Sequence, residues 1–565
     1  MARSTGLTVT INSLERFITE HLDSGYGLLF SSVEEASDYF GTPVVPAPLG
    51  NITKAVDGNS VKHRVIMDLT LNKVNSAASV PERQVLPTYL SHLRDLAILS
   101  EHPLEASESV EVLVLDYRNA FMQIPLAVEE QPFNCCSLDR AVRRTRASLF
   151  PGEAAEGFCI VWRVLGFGGR PNPLIFARCG SFLARTTQGL LRTSPASTLG
   201  LGSAAPGRLQ LYVDDPVLTL VGSDRQRELA MDLVILYWLI LGVPLSWSKG
   251  VVTSGGHLWI GAWFSVVAPG HAEAHLPHDF CAALFKELEV LAAGRGTTRK
   301  SCVLKMLGRC GRVAYIVPSA RPFVNGLWGA FSAACQAASR SHRPEAPPGK
   351  LACVRFAWAA SWLRELLRPG TQLQLFPLTH VYTVKEVPID TASAQVFFDA
   401  SPWGAGAALL LKGRWSSWFS LAWSAEVTAF FCAELGSSRF QTLWEYLALY
   451  LVLLSYASEF VAQGFGIVGD NIAALQCAVS LKGRKDLSAI SREIAWRRVR
   501  LRWRYAVAHV PSEENFVADS LSRLCAPVSD CKDFPEELMG VPEQQLPDLL
   551  KHFPCSDHRD LRRSL

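Results

Sequence analysis

Charge is scarce in this sequence. Only 19% of its 565 residues are Asp, Glu, Lys or Arg, and the net charge is +3. Set beside 49% apolar residues, that excludes a disordered chain. It also excludes attraction to polyanions through overall charge, so any nucleic-acid contact must come from local basic patches. No CxxC pair occurs among the fourteen cysteines. Together with the lack of a secretory leader, this predicts reduced thiols in an intracellular protein, with nucleus or cytoplasm left open. A zinc site built from Cys525, Cys531, His552, Cys555 and His558 is disfavoured because the spacing fits no tight ligand pattern. The longest apolar run, residues 233–247, is too short to span a bilayer and contains Gly242 and Pro244, so it predicts a buried helix and no membrane partner. No repeat is apparent. Asp23-Ser-Gly25 matches the aspartic-protease triplet but lacks apolar strands around it.

The most informative stretch is Tyr212-Val213-Asp214-Asp215, flanked by Leu209-Gln-Leu211 and by the apolar run from Pro216 to Val221. Two short apolar runs around turn-type residues predict a β-hairpin with both aspartates at its tip. Adjacent carboxylates repel, and a divalent cation turns that repulsion into a use. Pro216 suits the first residue of a strand because it has no N–H to offer.

Other segments keep it company. Residues 110–126 run as an apolar strand into Asp116, with Phe121 five residues later. Leu165-Gly-Phe-Gly-Gly-Arg-Pro171 is a glycine-rich turn opening an apolar helix, and Leu241-Gly-Val-Pro-Leu-Ser-Trp-Ser-Lys249 precedes another strand. Lys62-His-Arg-Val-Ile-Met-Asp68 lies upstream of them all. In this order the segments resemble the fingers and palm of retroelement reverse transcriptases. A second series lies further on. Val396-Phe-Phe-Asp399 ends a strand, Gly404 and Gly406 are expected to turn the chain, and Glu445 opens an apolar helix. Ile467-Val-Gly-Asp470 ends another strand, and His509 and Asp519 flank a turn and short helix. This series resembles a ribonuclease H domain, and the two in this order resemble a retroelement Pol polyprotein over roughly residues 45–525.

The resemblance implies an α+β multidomain chain: a right-hand polymerase followed by a ribonuclease H-like α/β domain with a mixed sheet. The expected division is an N-terminal segment of unknown role (1–45), fingers and palm (46–265), a helical thumb and connection with a Pro-rich linker (266–380), the ribonuclease H unit (385–525) and a loosely ordered tail (526–565). The implied activity is RNA-directed DNA synthesis with degradation of the RNA strand of RNA–DNA hybrids. The alternative is a retroelement-derived nucleic-acid-binding protein that has lost polymerase activity. The partners are an RNA template, a DNA primer, the hybrid and dNTPs. The cofactor is Mg²⁺ or Mn²⁺, two ions per site.

Phosphoryl transfer by two ions needs carboxylates from separate elements converging on one point. By resemblance these are Asp116 and Asp214, supported by Asp215, in the polymerase, and Asp399, Glu445, Asp470 and Asp519 in the nuclease. His509 matches the histidine that assists proton transfer or product release. Phe121 matches a steric gate against a 2′-hydroxyl, and in isolation it also reads as an ordinary core aromatic. Lys54 and Arg64 match cations that hold the triphosphate, Gly168 a close backbone approach to the nucleotide, and Lys249 a proton donor to pyrophosphate. Here Gly166 replaces the proline of the family's turn, and Thr70 replaces a second basic residue after Asp68. Lys305, Arg309 and Arg312, at i, i+4 and i+7, predict a basic helix face toward template–primer phosphates or solvent, with Val303, Leu304, Leu307 and Val313 packed elsewhere. Arg498, Arg500, Arg502 and Arg504 alternate as on one face of a strand.

Overall fold

A computed structural model describes residues 19–57, 60–101, 109–138, 158–166, 168–193, 206–339, 345–368, 379–383, 394–460, 464–483, 487–501 and 503–553. The chain is a mixed α/β, multidomain protein with two compact units. One comprises residues 1–260 and 268–270; the other comprises 261–267 and 271–565.

The N-terminal unit is built on an antiparallel sheet of β1 (Ser109–Val114), β2 (Gly207–Tyr212), β3 (Asp215–Gly222) and β4 (Val251–Thr253), in the order β2-β3-β1-β4. β3 is buried from Pro216 to Gly222, as its unbroken apolar run requires. Helices α1 (Asn172–Thr193) and α2 (Asp224–Ile240) pack in one core with it through Phe176, Leu183, Leu218, Val234 and Trp238. Trp238 Nε1 donates to Thr187 Oγ1 at 2.8 Å, giving a buried polar edge its partner. Ser223 starts α2 with a reciprocal capping box to Gln226. The long apolar run of the sequence is thus the end of α2 and the turn after it; among the described residues no helix is long and apolar enough to cross a membrane.

The hairpin tip differs from expectation by one residue. Tyr212 pairs with Asp215, so Val213 and Asp214 form the turn, while Asp215 begins β3 and Pro216 is its second residue. Val213 has φ +55°, a left-handed conformation costly for a β-branched residue.

The C-terminal unit carries helices α3 (His278–Ala292), α4 (Lys300–Ile316), α5 (Arg321–Ala338) and α6 (Ala357–Leu366), then a five-stranded mixed sheet. Its strands are β5 (Ala394–Ala400), β6 (Gly404–Leu411), β7 (Arg414–Ala422), β8 (Phe465–Gly469) and β9 (Tyr505–His509), in the order β7-β6-β5-β8-β9. β5, β8 and β9 run parallel and β5–β6–β7 is an antiparallel meander. α7 (Gln441–Tyr456) has no polar face and is buried all round, with Trp444, Tyr446, Leu447, Tyr450 and Leu451 fully enclosed. α8 (Ile472–Ser480), α9 (Leu487–Arg500) and α10 (Phe516–Arg523) complete the layer.

Three sequence expectations are corrected here. Gly404 and Gly406 do not turn the chain; they lie inside β6, where a Cβ on Gly406 would sit 2.4 Å from Leu521 Cβ and one on Gly404 2.4 Å from Leu421 O. Close approach of α10 at Gly406 and of the β7 backbone at Gly404, not turning, requires them. Arg498 and Arg500 fall in α9 rather than on a strand, because Ile490, Ile494, Ala495 and Trp496 bury one side of a helix and that period prevails; Arg502 lies outside the described residues. The tail is not loose through residue 553. Leu538, Leu549 and Phe553 are buried, and Trp418 donates from Nε1 to Val541 O at 3.0 Å.

Candidate functional site

Two carboxylate clusters stand apart in the chain, one in each unit. In the N-terminal unit, Asp116 follows the end of β1 while Asp214 and Asp215 come from the hairpin beside it. Tyr117 N donates to Asp214 O at 3.2 Å, which ties the two segments together. Lys249 Nζ forms an ion pair with Asp116 Oδ2. Asp215 is pushed up to about 6, first by burial and then by the charges of Asp214 and Asp116, with Lys249 opposing. The three acids therefore share one field.

Phe121 is half-buried, its ring 5.1 Å from that of Phe176, at the margin of the core. Gly168 has φ +119°, and a Cβ there would meet Met67 O at 2.0 Å, so chain-to-chain contact by itself demands glycine. Asn75 Nδ2 donates to Gly168 O at 2.9 Å. Lys54 and Arg64 lie on the paired strands Leu49–Asp57 and Ser60–Met67, but their side chains lie outside what is described.

The second cluster is tighter. Asp399 near the end of β5, Glu445 in the first turns of α7 and Asp470 just past β8 each bring a carboxylate oxygen within 4.8 Å of the others. Parallel pairing of β5 with β8 sets two of these acids side by side, and α7 supplies the third. Asp399 and Glu445 are buried. Burial pushes Asp399 up to about 7, reinforced by Asp470 and Asp519 and opposed by a hydrogen bond from Ser522. Glu445 is raised well above the ordinary range, by burial first and Asp399 next.

Neutral donors hold these acids. Ser522 Oγ donates to Asp399 Oδ2 at 2.7 Å, Gln441 Nε2 to Glu445 Oε1 at 2.9 Å, and Ser512 Oγ to Asp470 Oδ2 at 2.5 Å. Glu445 Oε2 is buried with no hydrogen-bond partner. An orphaned buried carboxylate oxygen beside two more acids fits a hard divalent cation, which takes oxygen ligands.

Asp519, though its charge acts on Asp399, is not among the acids whose oxygens lie within 4.8 Å of one another. Arg523 Nε donates to its Oδ1 at 2.8 Å and Lys532 Nζ pairs with its Oδ2. Burial favours its neutral form, but the bonds from Lys532 and Arg523 outweigh this and hold its carboxyl below the usual range. His509 ends β9, exposed, and Val510 N donates to Gly469 O at 3.1 Å, which keeps this turn beside Asp470.

On α4, Lys305 is exposed, but Arg309 pairs with Glu287 and Arg312 donates to Gly261 O, both guanidinium groups lying over the Phe280 ring. Leu304 is exposed rather than packed. Two of the three cations are thus engaged within their own unit. Cys525 and Cys531 are exposed free thiols, while Cys555 and His558 lie outside the described residues.

Sequence reasoning missed Gln441, Ser512, Ser522, Arg523 and Lys532. Ser522 and Arg523 had a readable signal, since i+3 and i+4 from Asp519 share its helix face. Lys532 had none.

No protein-family model matches the sequence, and no curated protein matches it. Among solved structures the chain is similar to one described as foamy viral protease-reverse transcriptase in complex with dsDNA. The two share 16% identity and a TM-score of 0.42, over 89% of this chain and 83% of that one.

Proposed function

We propose that the chain is an RNA-directed DNA polymerase with a C-terminal ribonuclease H domain at residues 385–525, each using a pair of Mg²⁺ or Mn²⁺ ions for phosphoryl transfer. The observation that carries this reading is the Asp399, Glu445 and Asp470 trio, in which three carboxyl groups, two of them buried, converge from two strand ends and a helix with one oxygen left unpartnered. Burying acids together is costly unless a cation is meant to join them. Bound divalent ions would supply charge neutralisation and an acidified water there. The chain's own residues do the rest. Ser522, Gln441 and Ser512 fix the carboxylates' orientation, and the exposed His509 is placed to exchange a proton with solvent.

In the N-terminal unit, Asp116, Asp214 and Asp215 are the proposed ligands. Phe121 is the proposed gate against a 2′-hydroxyl, Lys54, Arg64 and Gly168 the proposed nucleotide contacts, and Lys249 the proposed donor to pyrophosphate. Of Lys305, Arg309 and Arg312, Lys305 is the one open to template–primer phosphates, since Arg309 and Arg312 already have partners. The second reading, a nucleic-acid-binding protein with polymerase activity lost, is favoured by one observation. Among the described residues, the acids within joint ligand range are those of the C-terminal unit alone.

The deciding experiment has two arms. Incorporation of dTTP on poly(rA)·oligo(dT) with Mg²⁺ should occur and should vanish in Asp214→Asn. Cleavage of the RNA strand of an RNA–DNA hybrid should occur and should fall more than about a hundredfold in Asp399→Asn. Cleavage without incorporation would favour the second reading, and the absence of both from folded protein would overturn the first.

A further inference from the structure

Residues beyond α10 form a strap along β7. Phe534 packs edge-on against Trp418 at 4.9 Å between ring centroids, Trp418 N donates to Pro542 O at 3.2 Å, and Gln544 N to Trp418 O at 2.6 Å. Leu538 is buried with Ala408, Val517 and Leu521, which belong to β6 and α10. On the side toward α10, Asp530 and Cys531 both donate from their backbone N–H to Pro527 O, at 2.8 and 2.9 Å. Lys532 is therefore held between two anchored points, and it contacts Asp519, the acid that stands outside the ligand-range trio.

Both oxygens of Asp519 are committed, Oδ1 to Arg523 and Oδ2 to Lys532. The two cations differ in what releases them. Arg523 is in the same helix at i+4, whereas Lys532 arrives from the strap with its side chain 47% exposed. A half-exposed ammonium has water to move into, and a contact of that kind contributes little to stability. We propose that Lys532 is a positioning residue that gates Asp519: a divalent cation gains this fourth carboxylate only by displacing the lysine, so the strap sets the metal concentration at which the site fills. The inference rests on the nuclease reading of the C-terminal site.

The consequence is a competition. A conformer with Asp519 released is the binding-competent one, and the apparent metal affinity is reduced by the fraction in which the lysine is in place. Removing the ammonium removes that reduction. Arginine in its place keeps a cation that competes in the same way, while Lys551, paired with Asp548 further along the strap, is a control that touches neither acid nor gate.

The test uses the full chain and Mg²⁺ as the probe, with two readouts. Isothermal titration and the Mg²⁺-induced rise in Tm, both without nucleic acid, report ion binding; the Mg²⁺ dependence of RNA-strand cleavage in a hybrid reports function. Lys532→Gln should lower the half-saturating Mg²⁺ concentration at least about threefold in both, with Lys532→Arg and Lys551→Gln staying at wild-type values. An unchanged Mg²⁺ isotherm in Lys532→Gln overturns the gate. So does lost cleavage with unchanged ion binding, which would mean that the lysine acts on the substrate phosphate instead. If wild-type protein binds Mg²⁺ but cleaves no hybrid, the nuclease reading fails while the isotherms still decide the gate.

Discussion

The two carboxylate clusters handle the same repulsion in opposite ways. In the N-terminal unit two acids sit at a hairpin turn and a third follows the strand beside it, and a cation, Lys249, is paired directly with that third acid, Asp116. In the C-terminal unit Asp399 and Glu445 are buried and held by a serine and a glutamine, while the cations Arg523 and Lys532 go to Asp519. The first arrangement neutralises charge before any ion arrives. The second places no cation against the trio; burial raises Asp399 and Glu445, so protons offset the charge there until a divalent ion displaces them. On the proposed function, metal binding would therefore be tied to the C-terminal unit's stability more tightly than to the N-terminal unit's.

The largest expected effect is an opposite response to acid of two buried regions, the helix Tyr89–Ser100 with its histidine neighbours and α7 with its acids. His21 accepts from Trp162 Nε1 at 3.0 Å, so its Nδ1 must be unprotonated, and burial lowers it to about 4. Burial also lowers His257 to about 4, and it lowers His92, whose Nε2 lies 2.7 Å from that of His257. A folded value below the ordinary 6.5 gives stability that is full above 6.5 and lost as pH falls toward 4, up to about 3 kcal/mol per histidine. Asp399 has the reverse sign. Raised from 3.8 to about 7, it contributes stability that is full below 3.8 and lost as pH rises through 7. Hydrogen exchange without metal, corrected for intrinsic rate and read on the helix Tyr89–Ser100 and on α7, should show the first losing protection from pH 6.5 to 4 and the second gaining it. Parallel trends would break the comparison.

A smaller effect should come from the donor shell. Ser522→Ala removes the hydroxyl that fixes Asp399 Oδ2 and leaves a buried acid less restrained. Losing a group that orients a ligand typically costs about 10–100-fold in metal affinity or activity. Hybrid cleavage should fall within that range and DNA synthesis should not change. An equal fall in both activities would mean that the substitution unfolds the protein instead of loosening one site.

How far the sequence carried this picture depends on the kind of information. Strand-end acids were legible because apolar runs stop at Asp116, Asp399 and Asp470, and the buried α7 was legible because its apolar residues are unbroken. The role of Gly406 was not, since glycine in a strand and glycine in a turn look alike until α10 is known to press on it. The arginines around residue 500 alternate as in a strand, yet Ile490, Ile494 and Trp496 upstream bury a helix face, and burial outweighs the pattern of exposed residues. Lys532 was illegible because its partner is set by the strap's path, which the polar and proline-rich composition of the tail does not encode locally.

The smallest effect sharpens the contrast from the N-terminal side. Lys249 is 54% exposed and its partner Asp116 20%, so their attraction is screened and the pair contributes at most about 1 kcal/mol to stability. Lys249→Gln should leave the Tm nearly unchanged. Its electrical effect should still be visible, because Lys249 works against the burial and the two aspartates that raise Asp215 to about 6. With the lysine gone, Asp215 should titrate higher, measurable as an upward move of its carboxyl ¹³C midpoint. A large loss of Tm would mean that the N-terminal cluster is buried enough for a single cation to hold it together, and the division into a cation-paired and a cation-free site would fail.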